Sequence, residues 1–197
     1  KSESFYKKKD IKIITNTTVI KINRYKKKIY IKNGKSYTYK HLILATGSIV
    51  NKLEFSSKHQ NIFYLRTLDD ALKIREAFNK IKKLVVIGAG YIGLEIAALA
   101  SKKKLKVTVL DIQDRVMKRS VSPITSNFFQ NKHESMGINF LLSKRIRDIY
   151  EDEHQQKRIL LNNGNSFTAD SIVIGVGIKP NISLAIDSGL DCDNGII

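Results

Sequence analysis

The 197-residue chain has a single cysteine, Cys192. That excludes an internal disulfide framework and any CxxC metal or redox pair within the sequence, and one thiol fits a reducing compartment. Long apolar runs are also missing. The longest, such as Leu84–Ile87 and Ile172–Ile174, have strand length, far short of the ~20 residues that a membrane-spanning helix needs. The opening Lys-Ser-Glu-Ser has no apolar signal-peptide core, so a cytoplasmic protein without a membrane partner is expected. Acidic residues are scarce: 18 against 35 lysines and arginines, a formal net charge of +17. Such an excess attracts polyanions, but the aromatic interleaving that stacks bases is absent. The lysine runs at 7–9, 26–28, 82–83 and 102–104 fall mostly at loops and element ends. They are read as solvated faces, and nucleic acid is not the expected partner. No Ser-His-Asp arrangement or metal cluster is present either, and His41, His59, His133 and His154 are scattered, expected to be structural or exposed.

What is present is an ordinary globular balance, 42% hydrophobic and 27% charged, in a chain long enough to bury a core. The first fifty residues read as short strands at Ile11–Ile14, Thr17–Ile22, Lys28–Ile31 and Ser36–Tyr39, with Asn33-Gly34 as a hairpin signal. His41–Gly47 reads as a buried strand that ends in a glycine turn, and the stretch up to 66 as a connector. Thr67 is a predicted N-cap for a helix that reaches about Asn79, with Asp70 suited to the positive helix end. Leu84–Gly88, Lys106–Asp111, Ile138–Leu142 and Asp170–Gly175 read as parallel strands. Helices are expected from Tyr91 to about Ser101, and from Ser122-Pro123 towards Gly137. Arg145–Tyr150 and Arg158–Leu161 form an antiparallel insert. The expected fold class is α/β: a Rossmann-like parallel sheet with helices on both faces and an antiparallel β-meander.

The chemistry concentrates at Gly88-Ala-Gly90-Tyr91-Ile92-Gly93, a G-x-G-x-x-G run that leaves an apolar strand and opens a helix. Gly88 permits the tight turn, Gly90 lets a pyrophosphate approach the backbone, and Gly93 lets the helix lie close on the sheet. The helix N-terminus then offers free N–H groups and a positive dipole end. Asp111 ends the next strand, 111 − 88 = 23 positions after Gly88, where a carboxylate can accept both ribose hydroxyls. The same charge repels a 2′-phosphate, so NAD(H) is expected over NADP(H).

Several ordered segments carry a resemblance: Ala45-Thr46-Gly47, Tyr64–Asp69, Val86–Glu95, Val107–Asp111 with Arg115 and Arg119, and Gly175–Asn181. Together they resemble the FAD-dependent pyridine nucleotide–disulfide oxidoreductases, and among these the NADH-dependent ferredoxin reductases that serve oxygenases and cytochromes P450. The resemblance implies hydride transfer from NADH to flavin, then electrons to an iron–sulfur ferredoxin-type partner. It implies that Glu95 orients the nicotinamide carboxamide, that Ile92 packs near the nicotinamide–flavin contact and that Gly177 passes the nicotinamide half. Arg119 is placed beside the adenosine, and Arg115 is equally well a loop-stabilising cation.

The echo between Leu42–Gly47 and Ile172–Gly177 marks, in that family, crossings between FAD and NAD domains. Val50 and Asn51 stand where the family has Pro-Arg, the arginine touching FAD, which puts that flavin contact in doubt. The family's FAD fingerprint is not in the sequence, so the expectation is a fragment. It comprises an FAD-domain remnant over 1–50, a connector over 51–66, an NAD(H) domain over 67–185 and the start of a return over 186–197. NADH oxidases, peroxidases and coenzyme A-disulfide reductases stay open as parents, as does a fragment that binds NAD(H) without turnover.

Overall fold

The computed structural model describes residues 2–54, 61–153 and 156–197, so His59 and His154 lie outside the described residues. The chain divides into two compact units, one comprising residues up to Ser48 together with Pro180–Ile197, the other Ile49–Lys179.

The first unit begins with a short helix, α1 (Glu3–Lys8), followed by the antiparallel strands β1 (Val19–Asn23), β2 (Lys28–Ile31) and β3 (Ser36–Thr38). Two expected strands are corrected. Ile11–Ile14 forms none, because the amide of Ile11 closes the end of α1 on the Tyr6 carbonyl at 2.9 Å. His41–Gly47 forms none either, and Ile43 is 90% exposed. Apolar composition supplies side chains for a buried strand, but among the described residues no strand forms a ladder with this one.

The second unit carries the parallel sheet. After β4 (Ser48–Val50) come β5 (Ile62–Tyr64), α2 (Leu68–Ala77), β6 (Lys83–Ile87), α3 (Tyr91–Lys102), β7 (Lys106–Leu110), α4 (Pro123–Glu134) and β8 (Asn139–Leu141). The meander follows as β9 (Ile146–Glu151), β10 (Lys157–Leu161) and β11 (Ser166–Ala169). Then β12 (Ser171–Ile174) completes a five-stranded parallel sheet of order β5-β12-β6-β7-β8. The segment expected as a connector therefore supplies an edge strand, Ile62 facing Ile172 and Tyr64 facing Ile174. Its partner lies over a hundred residues away, a pairing that no local period announces.

Alternation along the central strands sorts the core into two layers. Leu84, Val86, Val107, Val109 and Val173 pack with Ile74, Leu94, Ala97 and Ala100, so α2 and α3 cover one face. Val85, Ile87, Leu110, Ile172 and Ile174 turn the other way, against Ile149, Ile159 and Leu161 of the meander. The α/β class with a β-meander holds, and the meander covers that second face. Past β13 (Ile178–Pro180), which pairs with β4, the chain ends in α5 (Ser183–Asp187), β14 (Cys192–Asp193) and β15 (Gly195–Ile196). Among the described residues no helix is long and apolar enough to cross a membrane.

Candidate functional site

The sheet order places β6 between β12 and β7: the chain leaves β6 through α3 towards β7 and β8 on one side, and returns through the meander to β12 on the other. A crevice opens at such a switch point, outside the carboxyl ends of the strands. Gly88-Ala89-Gly90 leaves β6 at that edge and α3 begins at Tyr91.

The three glycines differ in what surrounds them. Gly88 has φ +106°, and a Cβ there would strike the Gly175 carbonyl. Gly93 faces the Gly88 carbonyl just as closely, with Val86 Cγ1 3.3 Å from where a Cβ would stand. These two positions need glycine so that turn, helix and the end of β12 can meet. Gly90 is the opposite case: its φ of −81° suits any residue, and nothing lies within 4 Å of where a Cβ would be. It is the N-cap of α3 and provides no side-chain cap, which leaves the first amides of the helix without a side-chain partner.

Asp111 follows β7. Its Oδ2 accepts from the Ala89 amide at 2.6 Å, within the glycine turn, and its Oδ1 accepts from the Gln113 amide at 2.8 Å. Each carboxylate oxygen keeps a second lone pair, so the ties to the turn leave acceptor capacity for hydroxyls. Tyr91, Ile92 and Glu95 are all exposed on α3, Tyr91 by 59% and Ile92 by 46%.

The loop after Asp111 folds back on the turn, since Met117, at φ +50°, donates its amide to the Ala89 carbonyl at 2.9 Å. Arg115 clasps this loop from within, bonding the carbonyls of Val121 (2.9 Å) and Lys118 (3.1 Å) and the Ser126 hydroxyl (2.8 Å). Its structural reading is the one the geometry supports. Arg119 is carried to the end of β12: a Cβ on Gly177 would lie 3.7 Å from its Nη2 and 3.3 Å from Asn51 Nδ2. The reversal at Met117 thus aims the guanidinium at Gly177, while the Asp111 carboxylate engages backbone amides.

Sequence reasoning missed Asn51 as a structural group. Its amide donates to the Gly177 carbonyl at 3.0 Å and its Nδ2 approaches the Val176 carbonyl at 3.5 Å. It missed Gly175 as the surface on which Gly88 rests. Neither has a local signal, because both contacts join segments far apart in sequence. Thr46 and Gly47 belong to the other unit, where the Thr46 hydroxyl donates to the Asn181 carbonyl at 2.6 Å and the Gly47 carbonyl accepts from the Asn181 amide at 2.9 Å. His133 is buried within α4, its ring nitrogens 2.7 Å from the Phe129 carbonyl and 3.2 Å from that of Leu94, while His41 is exposed. Among the described residues no three His, Cys, Asp or Glu side chains gather as a metal site.

The family described as pyridine nucleotide-disulphide oxidoreductase matches residues 2–197. Putidaredoxin reductase of Pseudomonas putida is 37% identical over 98% of this chain and 47% of its own length. A rubredoxin-NAD(+) reductase of the same organism is 34% identical over all of this chain and 51% of its own. Among solved structures, a ferredoxin reductase from Rhodopseudomonas palustris superposes with a TM-score of 0.94 at 35% identity, covering 100% of this chain and 48% of that one. The chain spans about half the length of the curated relatives it matches. By that match along its described length, the chain belongs to the pyridine nucleotide-disulphide oxidoreductase family.

Proposed function

We propose that this chain is the NAD(H)-binding portion of an FAD-dependent reductase, which passes hydride from NADH to flavin and electrons onward to an iron–sulfur protein of the ferredoxin type. The observation that carries this reading is Gly90: an N-cap with no side chain and open space beside it, at the switch point of a parallel sheet. A pyrophosphate fits there, on free amides and the positive end of α3. Asp111 accepts hydrogen bonds from the adenosine ribose while bonded to Ala89, so one side chain shapes the turn and reads the nucleotide. Glu95 and Ile92 stand exposed on the same helix, available to the nicotinamide half, and Gly177 with Arg119 borders the end of β12.

The unit Ile49–Lys179 is then the dinucleotide domain, and the other unit part of an FAD-binding neighbour. Relatives named as putidaredoxin and rubredoxin reductases support the acceptor class, as does a solved complex of putidaredoxin reductase with putidaredoxin, 35% identical at a TM-score of 0.92. Bound NADH would supply the hydride and flavin would divide it into single electrons. The residues of this chain bind and orient the nucleotide. Thr46 and Gly47 stay candidate cofactor contacts, since the Thr46 hydroxyl and the Gly47 carbonyl each keep acceptor capacity beside the bond to Asn181. A cytoplasmic location belongs to the same proposal.

Calorimetric titration of the purified chain with NADH and NADPH tests it. NADH should give saturable heat and NADPH a weaker isotherm, because its 2′-phosphate meets the Asp111 carboxylate. Equal affinity would remove the role given to Asp111, and no binding of either would remove the reading as a whole.

A further inference from the structure

The opposite edge of the parallel sheet carries a second feature. Where α2 ends, α3 ends and β7 starts, Phe78, Asn79, Ile81, Lys82, Lys103, Lys104, Leu105 and Lys106 line an open groove of about 530 Å³. That is within the size range of ligand clefts. It lies roughly 15 Å from the glycine turn, the length of five-residue β6, so it has no part in dinucleotide binding.

The floor is apolar and the rim is basic. Phe78 is buried, Ile81 and Leu105 are half-buried, and Lys82, Lys103, Lys104 and Lys106 are all exposed. Lysines commonly sit at helix C-termini to meet the last carbonyls. Here backbone amides do that work: Lys103 N bonds the Leu99 and Ala100 carbonyls, Lys104 N that of Ser101 and Leu105 N that of Ala100. Of the rim ammonium groups, Lys103 meets only the neutral Asn79 Oδ1 at 3.2 Å, and none forms an ion pair among the described residues. The adjoining carboxylate, Asp170, accepts from the amides of Lys82 and Lys83 at 2.8 and 2.9 Å, so it too is committed to the backbone. Four cations thus surround one apolar depression with no carboxylate paired to them.

We propose that this groove docks an acidic polypeptide segment, with an apolar side chain on the half-buried Ile81 and Leu105, above the buried Phe78, and flanking carboxylates on the four lysines. A nucleic acid would meet the same charge, but its backbone has nothing apolar for the floor. The groove also offers no exposed ring for base stacking, since its one aromatic is 7% exposed.

Fluorescence anisotropy with a labelled Glu-Asp-Leu-Asp-Glu peptide tests this on the full chain. Changing Lys82, Lys103, Lys104 and Lys106 together to Gln should weaken binding at least tenfold. Changing Lys7, Lys8, Lys9 and Lys26 to Gln, the same loss of charge on the other unit, should alter it less than twofold. A peptide with Ser for Leu should bind several-fold more weakly. All eight lysines are exposed, and a thermal melt checks that each variant folds. Equal effects of the two lysine sets would reduce the attraction to bulk charge and overturn the proposal. So would indifference to the Leu-to-Ser change. An oligonucleotide that binds more tightly than the peptide, and is lost in the groove variant alone, would give the groove to nucleic acid instead.

Discussion

Gly90 and Gly93 stand three residues apart in one motif, yet substitution should separate them completely. Gly93→Ala drives a Cβ into the Gly88 carbonyl, a backbone atom that cannot swing aside, and should cost about 3 kcal/mol of stability. Gly90→Ala meets open space at an allowed φ, so its stability should stay within about 0.5 kcal/mol of the parent. The new methyl would instead fill the place of the pyrophosphate, and NADH affinity should fall by about tenfold or more. Urea unfolding together with calorimetry on both variants checks the pair. A Gly90→Ala chain that bound NADH normally would sink the proposed site. Asp111→Ala should show both effects at once. It orphans the amides of Ala89 and Gln113, at about 1–2 kcal/mol, and it brings the NADH and NADPH affinities together. The motif glycines were legible in the sequence because their constraint is local, a turn that leaves a strand and enters a helix. The Asp111–Ala89 bond and the Asn51–Gly177 bond were not, because each depends on strands meeting in space.

At the scale of elements, helix α2 opens with a capping box. The Asp70 amide donates to Thr67 Oγ1 at 3.2 Å, and Asp70 Oδ2 accepts from the amides of Thr67 and Arg66 at 2.8 and 3.0 Å. The Thr67 amide bond is the main cause that holds the Asp70 carboxyl below its ordinary pKa of 3.8. A depressed folded-state pKa contributes stability above the ordinary value and loses it as pH falls through the lowered one. Asp70→Ala should therefore cost about 1 kcal/mol at neutral pH, and the difference from the parent should shrink towards pH 3 in urea titrations. In the meander, Lys157 is 1% exposed and bonds Glu151 Oε1 at 3.0 Å. Glu151→Gln leaves that ammonium buried with a neutral neighbour and should cost about 3 kcal/mol, whereas Lys157→Met, of similar length and no charge, should cost far less. Equal costs would mean that the ion pair itself stabilises the meander. Elements with a full local signature were readable: β6, α3 and β7 alternate cleanly, and Ser122-Pro123 starts α4 as expected. The signature misled where apolar residues lack a partner strand, as at His41–Gly47, and stayed silent where the partner is remote, as at β5.

Across the whole molecule, a surplus of +17 charges over 197 residues raises the question of which electrostatic effect dominates stability. The exposed pairs Lys80–Glu76 and Lys118–Asp114 are weak, and salt would weaken them further. Against them stands mutual repulsion among 35 cations that only 18 acidic residues offset. Such repulsion acts over the Debye length, about 30 Å at 0.01 M salt and about 10 Å at 0.1 M. Folding compresses these charges into a smaller volume, so the folded state bears more of the repulsion than the unfolded chain. The weak exposed pairs among the described residues do not outweigh a net surplus of like charge, and screening should stabilise. Raising sodium chloride from about 0.01 M to about 0.3 M should therefore lift the melting temperature by about 3 °C, equivalent to about 1 kcal/mol for a chain of this size. Chloride suits the measurement because it screens generally without the preferential exclusion of sulfate or phosphate, which would stabilise any protein. A melting temperature that fell with added chloride would mean that the few exposed pairs outweigh the surplus. A rise in the parent that vanishes once the four groove lysines are replaced with Gln would place the repulsion in that rim alone.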